Sequence, residues 1–397
     1  MKRILITGAT GFIGGRLAEV AFERGILVSA LVHTWSYAVR LARLPVRMIP
    51  GDILDPISLR AAMKDCDVVF HCAIDNRVGG ELHRRSSVEG TANVMQAALE
   101  EGVKRVVHLS SIAVYGYRPG RDAASEDGLY RYSGDAYCDG KIDGEKVALR
   151  YYAERGLPVT VLRPTIVYGP FGPWTIMPVG SILRGRMVII DGGKGICNCL
   201  FIDNLVEAML LAAELGGSGE IFHISDARPV TWREFLEAHA RALGDSYLPL
   251  PQMTTQEIKT ARAVLWRHNH PSSFKQTLRL LGDPRTRRAL RSISAVEHGM
   301  QFARALSRVL LPGSTRRLLR KTLSNNTSST AQSDARNGWR PLLSENEVNV
   351  YTVRVVFSIE KARSKLGYNP RISFAEGMER TTAWIRWAQQ YDLLSTP

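Results

Sequence analysis

Over the first 170 residues, short apolar runs alternate with longer amphipathic ones. The apolar runs are RILIT (3–7), ILVSALV (26–32), VRMI (46–49), DVVFHCA (67–73), VKRVVHLSS (103–111) and PVTVLRP (158–164). Between them the spacing predicts helices from about Phe12, from about Val88 and over 136–155. Near-continuous apolar strands alternating with helices are what a parallel sheet buried on both faces requires. The pattern therefore predicts a doubly wound α/β domain over residues 1–170. The rhythm continues through MVII (187–190), EIFHIS (220–225) and a helix in VTWREFLEAHARAL (230–243), where Thr231 and Glu234 are spaced as a capping box.

Residues 251–350 break this rhythm. They hold 17 Lys/Arg against 6 Asp/Glu, so most of the chain's formal charge of +14 is concentrated there. Their stretch SNNTSSTAQSDARNG (324–338) reads as a loop or disordered linker. From 357 to 387 the sequence returns to amphipathic helix, so residues 171–250 and 351–397 are expected to form a smaller substrate-binding region interrupted by a basic insert. The 45% hydrophobic and 23% charged composition over 397 residues is that of an ordinary folded protein. Five cysteines without framework spacing, no apolar run of membrane-spanning length and no signal-peptide pattern make a cytoplasmic protein without disulfides the expectation.

The chemistry begins at TGATGFIGG (7–15), which follows a strand and opens a helix. In that context Gly8, Gly11 and Gly14 allow a tight turn, close approach of a pyrophosphate to backbone N–H groups, and tight helix–strand packing. The second strand ends in LVHTWSYAVR, with His33, Thr34, Ser36 and Arg40 but no carboxylate to bond an adenosine ribose. Either NAD or NADP is compatible with that ending. Asp52, in PGDILD, is placed to bond an adenine amino group or simply to form a turn. Tyr137 and Lys141, in AYCDGKIDGEK (136–146), lie one helical turn apart on one face, and Ser111 ends the strand before that helix. A neighbouring ammonium favours phenolate, which turns a tyrosine into a usable general acid/base. Gly140 and Gly144 leave room beside this helix for a cofactor or another backbone.

Taken in order, TGATGFIGG, GDILD, SSIAVYG, YCDGK and LRPTIVYGP (162–170) resemble the extended short-chain dehydrogenase/reductases, specifically the NAD-dependent epimerase/dehydratase family. The resemblance covers residues 1 to about 245 and resumes over about 353–390. It implies Gly8, Gly11, Phe12, Ile13 and Gly14 at the pyrophosphate, His33 near the adenosine, Asp52 with Ile53 at the adenine, and Cys72 and Ala73 along the cofactor. It implies Ser111, Tyr137 and Lys141 as the catalytic set, with Lys141 also on the nicotinamide ribose, and Pro164 with Thr165 against the nicotinamide. It further implies a homodimer formed through the Tyr-bearing helix and the helix before it, a second reason for the glycines. No metal is implied, and Cys197 and Cys199 read as structural thiols.

Departures from the family pattern narrow the substrate. Ser-Ile-Ala follows where nucleotide-sugar dehydratases carry an Asp-Glu pair, and Cys197 stands where many epimerases place a diphosphate-binding arginine. Ser87 replaces a common asparagine, while HCAIDNRV (71–78) and FIDN are similar to the 3β-hydroxysteroid dehydrogenase branch. The expected reaction is NAD(P)-dependent oxidation, reduction or epimerisation at a secondary carbinol. Its expected substrate is a sugar nucleotide or lipid-linked sugar, the alternative being a steroid-like hydrophobic alcohol. A non-catalytic NAD(P)-binding scaffold is the alternative of another class. Within the insert, residues 278–323 pair an apolar stripe (Gly299, Phe302, Ala303, Leu306, Val309, Leu310) with arginines, the pattern of a helix packed on its own domain or one lying on anionic lipid. Sparse aromatics there argue against nucleic acid.

Overall fold

The computed structural model describes residues 1–74, 80–269 and 343–391. Its centre is a parallel seven-stranded sheet. The strands are β1 (Arg3–Thr7), β2 (Leu27–Val32), β3 (Arg47–Pro50), β4 (Val68–His71), β5 (Arg105–Leu109), β6 (Val159–Pro164) and β7 (Ile221–Ile224). Their order across the sheet is β7-β6-β5-β4-β1-β2-β3, so the chain reverses direction between β1 and β4. Alternating residues of each strand feed two separate cores, as the period-2 geometry of a strand demands. Ile4, Ile6, Val68, Phe70, Val107 and Leu109 pack on one face. Leu5, Val69, Val106 and Val161 pack on the other.

The helices cover these faces. They are α1 (Phe12–Glu23), α2 (Pro56–Met63), α3 (Gly80–Arg85), α4 (Thr91–Glu100), α5 (Ala136–Arg155), α6 (Pro173–Leu183), α7 (Ile202–Leu215) and α8 (Trp232–Leu243). Two of the long helices show local start or stop signals plainly. The Asp135 carboxylate caps α5 by accepting from the N–H groups of Tyr137 and Cys138, each at 3.0 Å, and Gly156 ends it in the left-handed conformation. At α8 the Thr231–Glu234 capping box is present in both directions.

One boundary differs from the sequence reading. The helix expected from about Val88 begins at Gly80, and between α3 and α4 the chain makes a π-helical turn at Ser86–Gly90. A π turn adds a residue to the repeat and breaks the 3.6-residue period on which the sequence reading relies.

The chain divides into two units, Met1–Thr254 with Leu343–Pro397, and Thr255–Leu342. Of the second, α9 (Thr255–Asn269) is described. The expectations placed on 278–323 and 324–338 lie outside the described residues. In the first unit the chain resumes with α10 (Glu345–Tyr351), α11 (Glu360–Leu366) and α12 (Phe374–Gln390). Among the described residues no helix is long and apolar enough to cross a membrane.

Candidate active site

The carboxyl ends of β1 to β6 open into one cleft of about 1090 Å³. This is where an open parallel sheet that reverses strand order binds its ligands. Every site residue picked out in the sequence lines it: Gly8, Gly11, Phe12, Ile13, Gly14, His33, Asp52, Ile53, Cys72, Ala73, Ser111, Tyr137, Lys141, Pro164 and Thr165.

At one end is the turn between β1 and α1. Gly8 has φ +71°, and a Cβ there would lie 2.8 Å from the backbone of Cys72 and Ala73 at the end of β4. A Cβ on Gly14 would overlap the Gly8 carbonyl. Gly11, the N-cap of α1, has no side-chain cap, and the first turn carries no acidic residue. The helix therefore presents unsatisfied N–H groups and the positive end of its dipole to the cleft. A small-residue cradle with free donors at a helix start fits a dinucleotide pyrophosphate.

Further along, the Asp52 carboxylate has two partners. One oxygen accepts from the Leu54 N–H at 2.9 Å and the other lies 3.2 Å from His33 Nε2, so turn and side-chain pairing coexist. His33 Nδ1 is 3.0 Å from the Thr34 hydroxyl. Arg40, the nearest basic residue in sequence, is engaged elsewhere: its Nε and Nη2 donate to Glu19 at 2.7 and 2.8 Å. Burial alone would raise the Glu19 carboxyl, but Arg40 and Arg16 outweigh it and hold the pKa at about 2.

The reacting end is built on α5. Lys141 Nζ donates to the Leu109 carbonyl at 2.8 Å and lies 6.0 Å from the centre of the Tyr137 ring. Burial lowers the Lys141 pKa to about 8, against the opposing influence of Cys72 and Glu145. Tyr137 stands at the mouth, with 39% of its surface exposed, while burial of its hydroxyl raises its pKa and Ser111 opposes that rise. Ser111 caps a short 3₁₀ turn, its hydroxyl accepting from the Ala113 N–H at 3.1 Å. The two glycines of α5 have an intrachain explanation. A Cβ on Gly140 would lie 2.7 Å from Ser87 Oγ, and one on Gly144 would lie 2.8 Å from the Ser87 carbonyl oxygen. The backbone that approaches is the π turn before α4.

His71 and Cys72 part company. His71 is buried between the hydroxyls of Thr7 (2.9 Å) and Thr91 (3.1 Å), and burial with Lys141 nearby pushes its pKa down to about 3. Cys72 reaches the cleft, with burial raising its thiol to about 12. Cys197 does not line the cleft. It is fully buried, and its neighbours Ile196 and Asn198 face the cleft instead. Among the described residues no group of three or more His, Cys, Asp or Glu is arranged to hold a metal.

Sequence reasoning missed most of the wall beyond the reacting end. Trp174 and Met177 come from α6, Ile196 and Asn198 from the segment before α7, and Val350, Val353 and Phe357 from the chain that returns after residue 342. Asn198 pins that returning chain, donating to the Val355 carbonyl at 2.9 Å and accepting from the Phe357 N–H at 3.2 Å. No local motif marks these residues, and the bonds by which Asn198 brings the returning chain to the wall span more than 150 positions.

Comparison with known proteins agrees with this geometry. The chain is 29% identical over 318 residues to a 4-hydroxy-2-methyl-3-oxo-4-farnesyl-3,4-dihydroquinoline-1-oxide ketoreductase from Stigmatella aurantiaca, covering 75% of this chain and 93% of that protein. It is 30% identical over 263 residues to a 3-beta-hydroxysteroid dehydrogenase from Mycolicibacterium neoaurum, covering 62% and 71%. The fold is shared with the crystal structure of a UDP-glucose 4-epimerase from Thermotoga maritima with UDP-glucose, at a TM-score of 0.66 and 20% identity, covering 98% and 99% of the two chains. The profile of the NAD-dependent epimerase/dehydratase family matches residues 4–225, more than half of the chain, and this protein is an enzyme belonging to that family.

Proposed function

We propose that this enzyme interconverts a secondary alcohol and a ketone on a largely apolar, uncharged substrate, with Tyr137 moving the proton. The observation that carries the reading is the meeting of Tyr137, Lys141 and Ser111 in the cleft that also holds the glycine-rich turn. Gly8, Gly11 and Gly14 with the start of α1 would hold the pyrophosphate, His33, Asp52 and Ile53 the adenosine, and Lys141, Pro164 and Thr165 the nicotinamide end. A bound nicotinamide supplies the hydride acceptor or donor.

The chain's own groups handle the proton. Burial keeps the Tyr137 phenol neutral in the ground state, so it donates to a developing alkoxide and is left as phenolate; in the reverse direction that phenolate accepts the proton of the substrate hydroxyl. Lys141 remains largely protonated at pH 7, and its charge stabilises the phenolate left behind. Ser111, beside Tyr137, orients the same substrate oxygen.

The lining of the cleft supports the substrate class. Among the described residues the only Lys or Arg that lines it is Lys141, which is already bonded to the Leu109 carbonyl. With the helix start at Gly11 taken up by the cofactor's pyrophosphate, a second diphosphate, on the substrate, would call for a cationic partner that the described lining does not offer. Trp174, Met177, Ile196, Val353 and Phe357 instead offer an apolar wall. The ketoreductase and the hydroxysteroid dehydrogenase named above bear names that denote hydrophobic substrates, which favours the steroid-like alternative over a sugar nucleotide for this chain.

The test is oxidation of NADH or NADPH in the presence of polycyclic and prenylated ketones, with UDP-glucose in parallel. Turnover of a hydrophobic ketone that falls about 10²–10⁴-fold in Tyr137→Phe is the expected result. Epimerisation of the UDP-sugar without net use of the cofactor would overturn the substrate class, and full turnover by Tyr137→Phe would overturn the mechanism.

A further inference from the structure

Beneath the reacting end lies a buried ion pair that the proton chemistry does not use. Glu145, one turn beyond Lys141 on α5, is fully buried. Arg163, 1% exposed at the end of β6, donates to it from Nε at 3.1 Å to both oxygens and from Nη2 at 2.5 Å. Two hydroxyls complete the carboxylate's shell: Tyr130 at 2.8 Å and Ser110 at 2.5 Å. Arg163 Nη1 in turn donates to the Tyr115 hydroxyl at 2.5 Å and the Glu126 carbonyl at 2.9 Å.

Such a pair is a poor device for stability alone. Two charges withdrawn from water lose solvation that their attraction only partly restores, and apolar replacements of the same volume often do as well. What distinguishes this carboxylate is the set of segments it joins. Ser110 immediately precedes Ser111. Arg163 immediately precedes Pro164 and Thr165. Glu145 shares a face of α5 with Tyr137 and Lys141, at successive spacings of four residues.

We propose that Glu145, paired with Arg163, is the positioning residue of this active site, holding the Ser111 turn, the Tyr137–Lys141 helix and the Pro164–Thr165 strand end in one register. The proposal rests on the reading of Ser111, Tyr137 and Lys141 as the reacting groups. The arrangement has a direction. The Ser110 bond leads straight to a reacting group, whereas Tyr130 does not line the cleft; its ring packs against Val114, Tyr115 and Ile142, contacts that Tyr130→Phe keeps, and its hydroxyl adds only the bond to the same carboxylate.

That asymmetry gives the test. Glu145→Gln leaves Arg163 unpaired in the core and risks misfolding, so the hydroxyls are removed instead. Ser110→Ala and Tyr130→Phe each delete one hydrogen bond to the carboxylate and expose no charge. The measurement is the ionisation of Tyr137 in protein saturated with NAD⁺, read at 295 nm as the difference between each protein and its Tyr137→Phe counterpart, with urea midpoints measured alongside. Ser110→Ala should move the Tyr137 midpoint upward by about half a pH unit or more as Ser111 drifts from the phenol. Ser110→Thr should restore it, and Tyr130→Phe should leave it in place while lowering the urea midpoint as Ser110→Ala does. An unmoved midpoint in Ser110→Ala, or an equal shift in Tyr130→Phe, would reduce the pair to a structural element and overturn the proposal. Turnover that survives Tyr137→Phe would instead remove the catalytic reading and leave this titration comparison standing.

Discussion

Lys141→Met should make the cofactor-free protein more stable near neutral pH. Burial brings the Lys141 ammonium down from 10.5 to about 8, which means that the folded state holds the charge at a cost. Below pH ~8 both folded and unfolded chains are protonated there and the full penalty applies, about 3 kcal/mol as an upper bound. Between pH ~8 and 10.5 the folded state gives up its proton first, the unfolded state holds more protons, and wild-type stability rises with pH. At pH 10 only about 1 kcal/mol of the penalty is left. Methionine matches the stem in volume, but it abandons the Leu109 carbonyl that Nζ now bonds at 2.8 Å, a loss of about 1 kcal/mol. The expected net gain is therefore about 2 kcal/mol at pH 7, shrinking to nothing near pH 10. Urea unfolding of wild type and variant at both pH values, followed by fluorescence, reads the difference directly. A variant no more stable than wild type at pH 7, or a gain that persists unchanged at pH 10, would refute the claim that this lysine is held in place at the expense of stability. The same variant should lose turnover, separating stability from function at one residue.

Two other predictions concern the scaffold. Gly144→Ala would bring a methyl group 2.8 Å from the Ser87 carbonyl oxygen, and the backbone on both sides has little freedom to yield. The helix-propensity gain of about 1 kcal/mol should be outweighed by overpacking, for a net loss of about 1–2 kcal/mol in urea unfolding. Glu19→Gln should destabilise the protein by about 1–3 kcal/mol at pH 7, because it strands Arg40, whereas Arg16 keeps its pair with Asp203. The folded-state pKa of Glu19 is depressed, so its contribution is present above the unfolded value of 4.5 and disappears as pH falls through about 2; the thermal midpoints of the two proteins should converge along that path.

How much of this was legible in the sequence depends on how far apart the interacting residues lie. The turn at Gly8–Gly14 and the Tyr137–Lys141 pair are local: a few consecutive residues fix a φ or a helical face, and the structure puts all of them in one cleft. The capping box at Thr231 was legible for the same reason. The start of the helix before α4 was not, because the π turn at Ser86–Gly90 shifts the side-chain period that would reveal it. That turn also supplies the carbonyl against which Gly144 packs, so the reason for the glycine lay in an irregularity that periodicity hides.

Arg40 shows how far a charge in the sequence is from a charge in the site. It follows the second strand, whose end carries no carboxylate, and in the fold Glu19, from the helix before it, takes its guanidinium with two hydrogen bonds. The charge seen in a string of letters is not the charge available in a cleft. The same distinction bears on substrate choice: a chain with formal charge +14 lines its cleft, among the described residues, with Lys141 as the sole Lys or Arg. Net charge therefore carries no weight in assigning an anionic substrate. In the reading proposed above the apolar wall carries it instead, and Trp174, Met177, Ile196, Val353 and Phe357 of that wall fall in the stretches 171–250 and 351–397 that the sequence marks for substrate binding only as regions, with no motif to single out a residue.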